Sequence, residues 1–472
     1  MKKKALILLL VLVIACTSML ALAACNKDDG KIHLVFYHTM NAGLREVLSQ
    51  YIAKFEEMYP DYKIDAKQIG GYDDVRDQIS SEILIGEQPN IAYCYPDHVA
   101  LYNKAGAVST LDDFIASTET LTRADGSTEQ VGLTEEQKND FIKGFYDAGA
   151  QFGDGKMYSM PFSKSTELLY YNKTFFEAHS DKIEVPTHWW CTEDCPANCK
   201  SSMEKVCEEI KKIDSNLIPL GYDSEANWFI TMCEQLGSPY TIAVSDTKEG
   251  YFLFDNDTNK EFVKRFSQWY GKAWVTTQEL NNGAYTSEQF KKKEVMMCIG
   301  SSGGAKHQIP TSDKPFEAGI TSIPQIDQNN KKVISQGPSV CIFNNRDSNK
   351  VKMAWVFVKY LTTSPQFQAD FSLASGYIPV IKSATEDPVY QDEMSKANGT
   401  TGLPQLAINM GLAQSDYYYV SPAFYGSSVA RDQVGQLIQT CFSQCKSASE
   451  SQMDSIINAA FAKAKSNCVQ SL

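Results

Sequence analysis

Residues 31–38 read KIHLVFYH, a short apolar strand, and the alternation that follows from it decides the fold. From Leu44 the apolar residues Val47, Leu48, Tyr51, Ile52 and Phe55 fall on one helical face until Pro60 ends the run. YKIDAKQI (62–69) then alternates, and YDDVRDQISSEILIG (72–86) returns to helical spacing with Val75, Ile79 and Ile83 turned inward. PNIAYCY (89–95) reads as a buried strand closed by Pro96. This β-α-β-α-β order predicts an α/β fold with a parallel sheet and helices on both faces. In such sheets ligands sit beyond the carboxyl ends of the strands. The loops at that edge are HTMNAG, GGYDD and YPDH, which puts Tyr72 and Asp97 on one rim.

Upstream of the first strand, Lys2, Lys3 and Lys4 precede an uncharged run from Ala5 to Ala24, the layout of a secretory signal. The run is long enough to cross a bilayer. However, Leu22-Ala23-Ala24-Cys25 resembles the bacterial lipobox, in which cleavage precedes a cysteine whose thiol carries a lipid. The expectation is a signal peptide over 1–24 and a lipid on Cys25, which begins a short tether over 25–30. An uncleaved anchor and the similar Val13-Ile14-Ala15-Cys16 site are the weaker readings, since the latter leaves too short an apolar region. The exported chain would be held on the outer face of the cell membrane.

Cleavage there leaves 448 residues, enough for two large domains, with a hydrophobic share (43% of the whole chain) typical of packed cores. The net charge of −13 becomes −16 once the three lysines leave, which excludes nucleic acid or an anionic membrane surface as the main partner. Thirteen cysteines, less Cys16 and Cys25, leave an odd eleven. Cys191, Cys195, Cys199 and Cys207 are the dense group. Their spacing matches neither a paired C-x-x-C zinc site nor a usual iron–sulfur run, so a local disulfide is favoured, free thiols come next and a metal last; no cofactor or metal site is expected for the chain.

Further along, residues 117–138 read as a polar surface insertion. A second alternation starts at GKMYSMPFSKSTELLYYNK (155–173) and reaches the strands EVMMCIG (294–300) and SVCIF (339–343). Gly300-Ser301-Ser302-Gly303-Gly304 matches the G-x-S-x-G elbow of hydrolases, which makes a surface hydrolase using Ser302 the rival function. The only histidine beyond it is His307, with no acid between them, so the required base is missing. Clustered N–H groups and hydroxyls there better suit a neutral cradle for a phosphate, carboxylate or sugar oxygen. DNDTNKEFVKRF (255–266) begins like a calcium loop, but Lys260 and Phe266 stand where Gly and Glu are required, so it reads as a helix cap. Tyr72, Trp228 and Tyr377 lie in turn-like settings where a ring can stand in a cleft.

FEEMYPDYKI (55–64), GGYDDVRDQI (70–79), GKMYSMPFSKSTELLYYNKTFF (155–176), GSSGG (300–304), FEAGITSIPQ (316–325) and SPAFYGSSVARDQVGQLI (421–438), in this order and spacing, resemble the extracellular solute-binding proteins of ABC importers. Within that family the sugar-binding group, which includes maltose and glycerol-3-phosphate binders, is the most similar. The resemblance covers nearly all the exported sequence and implies a two-lobed, periplasmic-binding-protein-like fold with a ligand cleft between the lobes. It implies no catalysis, a monomer, and delivery of a sugar or glycerol-phosphate solute to a membrane permease. It places lobe 1 at 31–163 and 338–366 and lobe 2 at 164–337 and 367–472. The implied ligand contacts are Tyr72, Ser165, Ser301, Gly337, Tyr377 and Arg431. Asp97 replaces the family's glutamate one position later, and Trp228 aligns with a tryptophan-bearing stretch only with a shift.

Overall fold

A computed structural model describes residues 29–193, 195–244 and 249–472. The leader and Cys25 lie outside the described residues. Among the described residues, no helix is long and apolar enough to cross a membrane.

Two mixed sheets organise the chain. The first runs in the order Tyr62–Gln68, Ile32–His38, Ile91–Cys94, Ser339–Ile342, Met160–Pro161. Its first three strands are parallel, and Ser339–Ile342 pairs antiparallel with Ile91–Cys94. The helices Ala42–Met58 and Tyr72–Ile83 connect them, as the periodicity predicted. Asn41 caps the first by accepting the Leu44 N–H at 3.1 Å. Leu48, Tyr51 and Phe55 of that helix face the core with Phe36, and Val75 and Ile79 of the second pack with Ala92 and Cys94.

The second sheet runs Val275–Thr277, Ile218–Tyr222, Val295–Ser301, Ser165–Asn172, Val333–Gln336, Tyr418–Tyr419, with Ala318–Ser322 also paired to Ser165–Asn172. Seven of the eight residues in Ser165–Asn172 are buried, with Leu168, Leu169 and Tyr170 at its centre. Helices cover it on both faces, so it has no polar-out alternation. The helices Glu225–Leu236, Asp257–Gly271, Ser427–Cys445 and Glu450–Gln470 pack around it. Asn256 caps Asp257–Gly271 by accepting the Asn259 N–H at 3.0 Å, so the calcium-like stretch is a helix start.

The chain passes between the sheets at 162–164 and at 337–338, where the segments touch. Gly337 has φ +88°, and a Cβ there would stand 2.6 Å from the Ser163 carbonyl oxygen. Only glycine fits. Lys164 ties the crossings together: its Nζ donates to the Gly337 carbonyl at 3.1 Å and to Ser339 Oγ at 3.0 Å. Its backbone exchanges hydrogen bonds with Ile378.

Three expectations need correction. The helix Pro365–Ser375 and residues up to Ala384 belong to the first core, not the second as a boundary at 366 requires. Phe367 sits 5.0 Å from the Tyr51 ring and 5.5 Å from Phe162, and Tyr51 donates to Asp370 at 2.6 Å. The 117–138 insertion is not all surface: a small hairpin, Thr120–Thr122 with Thr128–Gln130, leads into buried Val131 and Leu133. Trp355 Nε1 donates to the Val131 carbonyl at 2.8 Å, which fastens it. The described cysteines form no disulfide, and Cys207 is fully buried in the second core on the helix Met203–Ile213.

Candidate functional site

The strand Ile91–Cys94 is fully buried and stops where Pro96, at the first turn of the helix Pro96–Lys104, forces a break. Tyr95, Asp97 and His98 are thereby set at the carboxyl edge of the first sheet. Tyr72 opens its helix after Gly71, whose N–H donates to Asp74 at 2.7 Å. Both loops meet at a cavity of ≈ 300 Å³. Tyr72, Arg76, Tyr95, Asp97 and His98 line one wall, Lys164 and Gly337 of the crossings the floor, and Tyr240, Ser421, Arg431 and Asp432 the opposite wall. Tyr72 packs 4.5 Å from Tyr95 and is stacked 5.9 Å from Tyr93, so the first wall is an aromatic ledge.

Charge in this cavity is mixed. Arg76 is already paired, with Asp73 at 2.9 Å and Asp77 at 2.8 Å. Arg431 Nη2 donates to Asn227 Oδ1, and Asn227 Nδ2 donates to Glu167 Oε1 at 2.8 Å. Glu167 also accepts from the Tyr222 hydroxyl. Burial pushes the Glu167 carboxyl up to about 7 despite those two donors and the nearby Arg431 guanidinium. Burial likewise raises the Asp432 carboxyl and lowers the His98 imidazole.

Burial brings Lys164 down to about 7. A lysine whose folded pKa lies below its ordinary value makes the unfolded chain bind more protons between pH 7 and 10.5, so its contribution to stability rises with pH across that window. Stability measured by urea unfolding should therefore rise by about 1.4 kcal/mol more from pH 8 to pH 9 in the native protein than in Lys164→Met. Equal slopes in the two proteins would show that Lys164 is charged throughout.

Four polar atoms on cavity-lining residues are buried without a hydrogen-bond partner among the described residues: His98 Nδ1, the Tyr240 hydroxyl, Ser335 Oγ and Ser421 Oγ. Such groups are rare in native interiors.

Of the residues expected at the site, Tyr72, Asp97, Gly337 and Arg431 line the cavity. Tyr377 and Ser301 do not; Tyr377 lies against Gly303, while Ser301 Oγ accepts the Gly303 N–H at 3.2 Å. Ser165 is buried at the start of its strand, in register with Gln336. Trp228 is a correction: it is fully buried, 4.2 Å from Phe266 and stacked 4.9 Å from Tyr222, inside the second core. A turn-like Asn-Trp pair turned out to lie within the helix Glu225–Leu236. Ser302 is also fully buried, its Oγ accepting the Thr166 N–H at 3.2 Å, which leaves no exposed nucleophile at the glycine-rich turn. Sequence reading missed Tyr95, Lys164 and Ser421, although each stands beside a residue or motif it had singled out.

The sn-glycerol-3-phosphate-binding periplasmic protein UgpB of Escherichia coli K12 is 23% identical over 383 residues, covering 77% of this chain and 78% of that one. Among solved structures, the GacH receptor of Streptomyces glaucescens superposes with a TM-score of 0.66 at 15% identity, covering 92% of this chain and 98% of that one. UgpB from Mycobacterium tuberculosis, in complex with glycerophosphocholine, gives the same TM-score, identity and coverage. These likenesses show the periplasmic-binding-protein fold that the sequence led one to expect, although its two sheets are mixed and not purely parallel. The family model described as "Bacterial extracellular solute-binding protein" matches residues 50–398, and the chain belongs to that non-enzymatic family.

Proposed function

We propose that this chain is the lipid-anchored, monomeric solute-binding component of an ABC importer. In this reading Cys25 carries the lipid, the cavity captures a hydroxyl-rich solute, a sugar or a glycerol-phosphate compound, and the loaded form is presented to the permease. The observation that carries the solute class is the lining of one cavity, where an aromatic ledge of Tyr72 and Tyr95 stands with Asp97 and Arg431. The ledge of Tyr72 and Tyr95 suits the apolar face of a sugar ring or glycerol backbone, and Asp97 suits its hydroxyls.

A phosphate-bearing solute is favoured by one further observation. Among the described residues Arg431 has no carboxylate within ion-pair distance, and its hydrogen bond to Asn227 leaves most of its fork of donors for a ligand. The relatives' names fit a phosphate-bearing solute: glycerol-3-phosphate for the E. coli protein, glycerophosphocholine for the mycobacterial one. Contacts from both walls would favour a closed form, which gives a permease something to recognise.

Thermal shift of the protein against glycerol-3-phosphate, glycerophosphodiesters and a panel of mono- and oligosaccharides tests this. A hundredfold excess over Kd stabilises by about 2.7 kcal/mol, a shift of several degrees. A shift with phosphates alone assigns Arg431 to an anion; a shift with sugars alone assigns specificity to Asp97 and the aromatic ledge. No shift with either class defeats the solute assignment. Lipidation is read separately, by the mass of the N-terminal peptide, where an unmodified Cys25 in membrane-extracted protein would refute the anchor.

A further inference from the structure

Between the helices Lys173–Ala178 and Met203–Ile213 the described residues form turns and isolated bridges only. Loops of this length without their own secondary structure are uncommon in compact proteins and need something to hold them. One end is fixed by packing: Trp189 is fully buried and its Nε1 donates to Gln235 at 3.0 Å. His188 beside it is held by its backbone, since its carbonyl accepts the Met203 N–H at 2.8 Å and it forms bridges with Ser202 and Gln325. The remainder, residues 190–200, folds back so that three cysteines converge on the His188 ring.

His188 Nε2 stands 3.5 Å from Cys195 Sγ, 3.5 Å from Cys199 Sγ and 4.0 Å from Cys191 Sγ. Cys191 and Cys195 Sγ are 2.8 Å apart, and all four ligand atoms lie within 4.8 Å of one another. Apolar packing does not explain the grouping, because all four residues are only half-buried. A disulfide would consume two thiols and leave the third beside the imidazole.

We propose that His188, Cys191, Cys195 and Cys199 form a structural zinc site. Zinc takes thiolate sulfur at about 2.3 Å and imidazole nitrogen at about 2.0–2.1 Å in a tetrahedron, so its ligand atoms stand roughly 3.5–3.8 Å apart. Two of the three nitrogen–sulfur separations already match, Cys191 Sγ needs to move in by a few tenths of an ångström, and the Cys191–Cys195 pair needs to open by about 1 Å. Three soft thiolates with one imidazole select zinc over calcium or magnesium. Four protein ligands close the shell, as in structural and not catalytic zinc sites.

His188 Nδ1 lies 3.1 Å from Thr187 Oγ1; a proton on Nδ1 donated to that hydroxyl leaves the Nε2 lone pair facing the sulfurs. One Zn²⁺ displaces the three thiol protons and leaves a centre of charge −1. Lys205, whose Nζ donates to the Ala197 carbonyl at 3.5 Å, supplies a positive charge at the same loop. None of the four ligands lines the solute cavity, so the metal would staple the 187–203 segment to the second core without touching the solute.

The test uses the untagged full chain, purified under reducing conditions after growth with zinc. Elemental analysis should find one zinc per chain, and Cys195→Ser and Cys199→Ser should each lose it while keeping whatever solute binding the native protein has. Replacing zinc by cobalt(II) should give thiolate-to-cobalt charge transfer and the strong visible bands of a tetrahedral centre. Zinc addition to the apo form should release about three protons per metal. Full zinc occupancy in both serine variants, a cobalt spectrum without thiolate bands, or native protein free of zinc with a mapped Cys191–Cys195 disulfide would each overturn the proposal. The native protein's metal content and cobalt spectrum decide the matter even if the variants fail to fold.

Discussion

Arg431→Ala should weaken solute binding by about 30- to 150-fold, the equivalent of roughly 2–3 kcal/mol for charge-assisted hydrogen bonds lost from a partly desolvated site. The side chain stands on the first turns of the helix Ser427–Cys445, on the cavity wall facing Asp97. Its approach is set from behind, because Asn227 accepts from it and is itself oriented by donating to Glu167. Such a relay pre-positions the guanidinium, and little ordering remains to be done when the solute arrives. Asn227→Ala should therefore also weaken binding, but by less, since the charge remains and only its orientation is freed. Isothermal titration with the solute identified by thermal shift checks both. An affinity unchanged by Arg431→Ala would remove this residue from the contact set and leave recognition to Asp97 and the tyrosines.

Trp228→Ala should destabilise the protein by about 3–5 kcal/mol, as large aromatic truncations in packed cores do. The indole lies between Tyr222 and Phe266, with Trp189 stacked 6.2 Å away and Phe442 edge-on at 5.8 Å. The hole would open in the core on which the helix carrying Arg431 also rests. Its Nε1 has no partner among the described residues, so Trp228→Phe loses volume without stranding a polar group and should cost much less. Urea unfolding measures the difference. If Trp228→Phe left stability intact and abolished binding, the ring would be a ligand contact after all.

The two substitutions separate what was legible in the sequence from what was not. The rim carrying Tyr72 and Asp97 could be read directly. Helical and alternating periodicities are local, their order implies a parallel sheet, and a parallel sheet has a defined binding edge. Arg431 and Gly337 were reachable only through the family resemblance, since nothing in their neighbours' spacing marks them. Trp228 was misplaced because an aromatic after Ser, Glu, Ala and Asn looks the same whether its helix face meets solvent or another helix.

By itself, then, the amino-acid sequence determined the alternating elements, the loops at the first sheet's edge and the cap at Asn256, all of which depend on residues close in the chain. The tertiary structure alone decided which core received Phe367 and Phe371, that Lys164 would cross-link the crossings, and that His188 instead of Cys207 would join Cys191, Cys195 and Cys199. Those outcomes depend on which faces meet across hundreds of residues, and burial energy rewards any apolar face equally until the competing surfaces are in place.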